Sequence, residues 1–433
     1  MPARPLHARP WWVATVAGMA SYIDSAAITG FSTSLVILRA ELGLDEWQVG
    51  VAAASLTLSI AVGALVGGRL GDRFGRRPVF TATMILILAA VLALILAPSF
   101  GVVVAGAILL GLGTGADLPV SLATIAEAAT DANRGRLLGL SNLLWIIGIV
   151  ANTLIASVVG DWGHRGAQIL FGHIGVVALL VLLGRLTIPE SASWTTARDE
   201  RRSGVPTIRA DRTRIVDLLR TPYVVPFLAL VAFYALTNLV ANTSGQFGTY
   251  IVVTYGGATV GQAALIALPM IPIAVFGYLW FMKIVDGPRR FLYFQIGAVV
   301  MILSKLVVVF AGLNIVTYAI SALLAAVGGA FAFEGIMKVW TQESFPTLLR
   351  STAQGAIISI GRFSAAVLAA VTPLLLESGV TAFYVLLTAF NAAGLGIAWA
   401  VFRRRRNVSV LDVESRTDPE ATSSATVAPG ASS

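Results

Sequence analysis

The chain has 433 residues, of which 57% are hydrophobic and 12% are charged, against roughly 25% charged in an ordinary soluble domain. Apolar runs of about 20 residues, the length a hydrocarbon core of about 30 Å demands, recur along nearly all of it, which excludes a soluble enzyme, a nucleic-acid-binding domain and a secreted module. The formal net charge of +8 sits mostly in basic clusters between those runs, so it describes membrane topology and not a partner.

Residues 1–11 are short and basic, and the run after them is too long for a signal peptide and lacks a clean small-residue cleavage site. It reads as a retained first span. Spans are expected at 12–37, 47–70, 77–97, 100–128, 135–160, 166–188, 223–254, 260–284, 291–312, 315–342, 349–376 and 380–402. That is an all-α membrane protein of twelve transmembrane helices in two six-helix bundles, 12–188 and 223–402, joined by a linker at 189–222. Residues 403–433, rich in Ser, Thr and Ala, read as a disordered tail. Of the 30 Lys and Arg, only Arg39 and Arg165 fall in loops of one face, and Lys305, Lys338 and Arg362 fall inside spans. The others collect on the opposite face, which places both termini in the cytoplasm of a multi-pass cell-membrane protein.

An ionisable group at bilayer depth is costly, so each is a functional candidate. In the first span Asp24 lies about 12 residues in, roughly 18 Å along the axis. Ser21, Asp24, Ser25, Thr29 and Ser32 form one polar stripe at helical spacing. The second span ends in Gly68-Arg69-Leu70-Gly71-Asp72-Arg73-Phe74-Gly75-Arg76-Arg77. Asp117 sits among glycines in the fourth span, where Pro119 leaves the Gly115 carbonyl without its helical donor. Glu127 and Arg134 follow that span. Asn142, Trp145 and Asn152 mark the fifth, His173 the sixth, and Pro189-Glu190-Ser191 opens the linker. In the seventh span Asn238, Asn242, Ser244, Gln246 and Tyr250 cluster around Gly245, and Asn242 and Gln246 are the expected substrate contacts. Asp286 with Arg289 and Arg290 follows the eighth span, and Lys305 lies in the ninth. Glu334 and Lys338 in the tenth are spaced for a local ion pair, and Glu343 and Arg350 follow. Arg362 lies mid-depth in the eleventh, where a guanidinium needs a carboxylate from the protein or from a substrate.

These motifs repeat. Asp286 follows Asp72 by 214 residues, Glu343 follows Glu127 by 216, and each Glu has an Arg seven residues on, at Arg134 and Arg350. Two motifs recurring at nearly one offset imply duplicated halves in parallel orientation, with the substrate site near the midplane between them.

The Gly68–Arg77 segment resembles the signature of the major facilitator superfamily. Glu127-x-x-Thr130-x-x-x-Arg134-Gly135, Pro189-Glu190-Ser191 and Glu343-x-x-Pro346-x-x-x-Arg350 resemble its sugar-porter branch and metabolite:proton symporter relatives. Thr130 and Ser351 stand where the branch usually has Pro and Gly, and the usual arginine of helix four aligns with Ala107. The resemblance covers about residues 10–405 and implies alternating access, with the third, sixth, ninth and twelfth helices peripheral.

Two readings of the basic-face charges stand. They are solvated topology determinants, or they form a cytoplasmic gate. In the gate, Gly68 and Gly75 shape the turn, and Asp72 and its repeat Asp286 are the acids. Asp72 is expected to accept hydrogen bonds from a facing helix N-terminus, Arg73, Arg76, Arg134 and Arg350 to pair with Glu127, Glu190 and Glu343, and Arg77 and Arg289 to belong to the same gate. Asp24 or Asp117 is the expected proton carrier. Arg362, Asn242, Gln246, Asn142, Trp145 and Glu334 are the expected substrate contacts. The function expected is secondary active transport of a small polar metabolite with a proton. Arg362 slightly favours an organic anion over a sugar or polyol, since the paired glutamines typical of sugar-porter helix seven are absent. Proton-driven efflux and a non-transporting sensor are the alternatives. With no Cys and only three His, at 7, 164 and 173, neither catalysis nor a metal or other cofactor is expected. The expected partners are a small-molecule substrate, a proton and the lipid bilayer, with no nucleic acid, and the carrier is expected to work as a monomer.

Overall fold

A chain in hydrocarbon must satisfy its backbone N–H and C=O groups internally, so each apolar run folds into a helix. The structure is a computed structural model that describes residues 10–130, 133–160, 162–203, 215–258, 266, 269–377 and 379–403. The first half comprises α1 (Pro10–Leu42), α2 (Glu46–Phe74), α3 (Arg76–Ile95), α4 (Phe100–Ala128), α5 (Arg134–Val159) and α6 (His164–Leu186). The linker carries α7 (Ala192–Arg202) and a 3-10 turn at Ile215–Leu219. The second half comprises α8 (Val224–Thr254), α9 (Met270–Ile284), α10 (Arg290–Ala311), α11 (Ile315–Ala332), α12 (Glu334–Ser344), α13 (Arg350–Glu377) and α14 (Val380–Phe402). Eleven helical stretches among the described residues are long and apolar enough to cross a membrane, and α9 is a shorter apolar helix. The start of the expected eighth span falls largely outside the described residues. So do residues 1–9, the middle of the linker and the tail from 404.

In the first half α2 and α3 pack on α4, while α1 packs on α5 and α6; in the second, α8 packs on α13 and α14, and α10 on α11. The most extensive helix pairings between the halves are α2 with α13 and α5 with α9. They are equivalent under the internal repeat, since α9 corresponds to α2 and α13 to α5. Glycine permits the close approach at both. A Cβ on Gly68 would run into the Ser351 carbonyl, and one on Gly355 into the Ala64 carbonyl. At the other pair, Gly135 lies against Val285 and Asp286, and Gly139 against Met282. Residues 351–358 of α13 are buried on every side, whereas the same helix beyond Ile358 alternates with exposed positions. The halves are thus closed on each other at the basic face.

The tenth span differs from a single uninterrupted rod. Phe333, at φ −127° and ψ −128°, separates α11 from α12. The break puts Glu334 at the first position of a new helix, inside a stretch long enough to cross the membrane. Phe333 stacks on Tyr234 of α8, with ring centroids 6.1 Å apart and planes 16° from parallel.

Candidate functional site

At the basic face, Asp72 lies in the last turn of α2 and reaches across to the other half. Its carboxylate accepts hydrogen bonds from the Thr352 amide (2.7 Å), the Thr352 hydroxyl (2.6 Å) and the Ser351 amide (3.4 Å). These amides are in the first turn of α13, where backbone donors lack helical partners and the helix dipole favours an anion. Asp72 also takes a bond from Arg76 Nη1 at 2.8 Å. Arg76 continues to Glu127, at 2.6 and 3.3 Å, and donates to the Thr347 carbonyl of the second half at 3.1 Å. Glu127 in turn faces Arg350 Nη1 at 3.5 Å. Burial of such charges is tolerable because each is paired and hydrogen-bonded.

Among the described residues, no arginine side chain forms an ion pair with Glu190. It accepts from the backbone amides of Arg76 (2.9 Å) and Arg77 (3.1 Å) and so caps α3. Gly75, at φ 103°, makes the turn, and a Cβ there would collide with Glu190. Trp194 of the linker helix donates its indole N–H to the Asp72 carbonyl at 2.9 Å.

The second half repeats the device. Asp286 accepts from the amides of Gly135 (2.5 Å) and Arg136 (3.0 Å) at the start of α5, and Arg290 binds Glu343 at 2.7 and 2.9 Å. Burial pushes the Asp286 carboxyl above its ordinary range, while the two amide donors pull it the other way. Each half therefore seats one acid on a helix N-terminus of the other. Arg290 occupies the place for which Arg289 was expected; Arg289 is exposed. Arg73 is exposed with its guanidinium 5.2 Å from the Phe74 ring, and Arg77 is exposed as well. Arg134 is buried at the start of α5.

At mid-depth Arg362 Nη2 of α13 meets Asp24 Oδ2 of α1 at 2.6 Å. The Asp24 side chain is 1% exposed and the Arg362 side chain 14%. The second Asp24 oxygen is buried without a hydrogen-bond partner among the described residues. Asn238 of α8 donates to the Gly361 carbonyl at 3.2 Å, holding the backbone beside Arg362. Arg362 lies within electrostatic reach of Tyr234 and Glu334, and Tyr278 of α9 within reach of Glu334. Glu334 pairs with Lys338 at 3.0 Å, and the buried Lys338 ammonium donates to Asn142 Oδ1 of α5 at 2.7 Å. One chain of polar groups thus runs through α1, α13, α8, α9, α12 and α5, with both halves contributing. Trp145, three residues after Asn142, and Asn242 are half-buried. The Gln246 side chain lies outside the described residues.

Asp117 is separate from this chain. Both its oxygens face the Arg185 guanidinium, Nη2 at 2.7 Å from Oδ2, and Thr83 donates to Oδ1 at 2.9 Å. Arg185 also reaches Ser121 (3.0 Å) and lies 4.3 Å from the Phe80 ring centroid. Sequence reasoning counted Arg185 among the basic-face arginines and missed this pair, which lies wholly within the first half. Away from the centre, His173 bonds Tyr22 at 2.7 Å and Lys305 bonds Ser244 at 3.0 Å.

Two repeated six-helix halves, closed on each other at one face and sharing a polar centre, define a membrane carrier with twelve spans. The chain belongs to the Major Facilitator Superfamily, whose family model matches residues 13–370. It is 29% identical over 367 residues to the minor myo-inositol transporter IolF of Bacillus subtilis, covering 84% of this chain and 83% of that one. It is 29% identical over 187 residues to the arabinose-proton symporter of the same organism, covering 42% of this chain and 40% of that one. The solved structure of the proton:xylose symporter XylE, bound to 6-bromo-6-deoxy-D-glucose, superposes with a TM-score of 0.79 at 16% identity. That likeness, over 96% of this chain and all of the other, is one of fold.

Proposed function

We propose that the chain takes up a small polyhydroxylated metabolite, a polyol or sugar, together with a proton, by alternating access across the cell membrane. Both termini lie in the cytoplasm, and a single chain supplies the pathway. The observation that carries this reading is the Asp24–Arg362 bond, which ties the halves at mid-depth and leaves one carboxylate oxygen unpartnered. A charged Asp24 holds Arg362. A proton on Asp24 cancels that attraction in a medium of low dielectric, and lets the halves move on α1 and α13. Glu334, Asn142, Tyr234 and Tyr278 offer donors and acceptors suited to hydroxyl groups. The basic-face cluster serves as the cytoplasmic gate, since opening that face must separate Asp72 from α13, Asp286 from α5 and Arg350 from Glu127.

The expectation of an organic anion rested on a guanidinium free to meet a substrate carboxylate. Arg362 already faces Asp24, and the similarity to an inositol transporter over most of both chains adds weight to the neutral class. Proteoliposomes with an alkaline interior test the proposal against a panel of polyols, sugars, and aromatic and aliphatic acids. Accumulation of a polyol or sugar is the expected result. Accumulation of acids alone, or export in exchange for protons, would overturn it.

A further inference from the structure

A cavity of about 220 Å³ lies within the second half, bounded by α8, α10, α11 and α14. Its α8 lining begins at Thr243, five positions past Asn238, so it sits about 8 Å further along that helix, toward the face opposite the basic one. Lys305 enters it from α10, about 22 Å along that helix, and is 5% exposed. An ammonium at such depth is costly without a counter-charge. Elsewhere at depth this chain supplies one: Arg185 faces Asp117, Arg362 faces Asp24 and Lys338 faces Glu334. Lys305 departs from that pattern. Its Nζ donates to the Ser244 hydroxyl at 3.0 Å, one bond for a group with three donors, and among the described residues no carboxylate lines the cavity. The hydroxyls of Ser321 and Tyr384, 2% and 4% exposed, share the lining with that of Tyr318. Among the described residues none of these three hydroxyls has a hydrogen-bond partner. Gly248 makes room for the Tyr318 hydroxyl, which would lie 2.5 Å from a Cβ at that position. Ile251, Ala322 and Leu387 supply the apolar lining.

One positive charge, several hydroxyl donors and an apolar stretch therefore share one buried space, several times the ~30 Å³ share of a single water. One cation neutralises one negative charge, and a dianion would carry a surplus into a medium of low dielectric. A carboxylate offers two oxygens with about four acceptor sites, enough for the ammonium and the hydroxyls together. The apolar lining suits a short hydrocarbon part. We propose that this pocket binds a small monocarboxylate, its oxygens against Lys305 and its carbon chain toward Ile251 and Leu387. The lining comes from the second half alone, so the site does not depend on the Asp24–Arg362 contact or on which solute is carried.

The test uses the full chain in detergent, with thermal unfolding followed through tryptophan fluorescence against sodium butyrate. Sodium chloride at matched ionic strength controls for charge alone, and butyramide, uncharged and of the same size, controls for the apolar part. Butyrate should raise the unfolding midpoint with concentration where neither control does. Lys305→Met keeps a long side chain without the charge and should abolish the effect. That loss also separates this site from binding at Arg362, which the substitution leaves in place. Tyr384→Phe should weaken the apparent affinity about tenfold, equal to about 1.4 kcal/mol, as for a lost hydrogen bond to a charged group. It gives a second reading should Lys305→Met fold poorly. Stabilisation that is absent, matched by chloride or by butyramide, or undiminished in either variant would overturn the site. Uptake of a polyol or sugar has no part in this measurement, so the two proposals fail separately.

Discussion

Asp24 and Arg362, 338 positions apart in the chain, are joined by a 2.6 Å bond that crosses from one half of the protein to the other at mid-depth. Among the described residues neither has a second hydrogen-bond partner, and one Asp24 oxygen is unsatisfied. At Asp117, by contrast, both carboxylate oxygens are engaged by Arg185, Thr83 adds a bond to one of them, and Arg185 also reaches Ser121. In the proposed mechanism Asp24 therefore takes the moving role and Asp117 a fixed one.

Arg362→Ala should therefore destabilise the protein by about 3 kcal/mol or more, the usual cost of leaving a buried charge without its partner. Combining it with Asp24→Asn removes the stranded charge and should recover much of that loss. Thermal unfolding followed through the nine tryptophans reads both. A double variant no more stable than Arg362→Ala would argue that the pair is not coupled.

Asp117→Asn and Arg185→Met should each lower stability by about 3–5 kcal/mol, while Asp117→Leu with Arg185→Met should lower it far less. The same unfolding measurement applies. Additive losses in the double variant would contradict a coupled structural pair.

Asp72→Asn should reach the membrane but transport poorly, because Asp72 combines a charged bond to Arg76 with three bonds to α13. A charge-assisted bond is worth about 1.5–3 kcal/mol, so the closed state should lose about tenfold or more in population. Asp286→Asn should cost less, since Asp286 accepts two amide bonds and its ion pair with Arg136 Nε spans 3.9 Å. Initial uptake rates normalised to membrane protein decide the order. Equal uptake by Asp72→Asn and the natural chain would remove the gate from the account.

The helices were legible because hydrocarbon admits little else, and the duplicated halves because Asp72 and Asp286 recur with their arginines at nearly one spacing. Asp24 and Arg362 each stood out by the cost of charge at depth, but nothing local links residues so far apart in sequence. Arg185 was misjudged because an arginine near a helix end reads as a snorkelling surface residue, and hydropathy does not say whether it points inward. Arg289 and Arg290 are neighbours about 100° apart around a helix, and only packing against Glu343 selects the second. The break at Phe333 was hidden because no proline marks it and Glu334, spaced four residues from Lys338, reads as part of one continuous helix. It accompanies stacking on Tyr234 from another helix, a tertiary contact with no local signature.

The most direct measurement is accumulation of labelled myo-inositol in proteoliposomes under an imposed pH gradient, alkaline inside, for the natural chain and Asp24→Asn. The account predicts that the natural chain concentrates the label and acidifies the interior as it does so. Asp24→Asn should only equilibrate it, with no response to the gradient. Concentration of the label by Asp24→Asn, driven by the same gradient, would contradict the assignment of the coupling proton to Asp24.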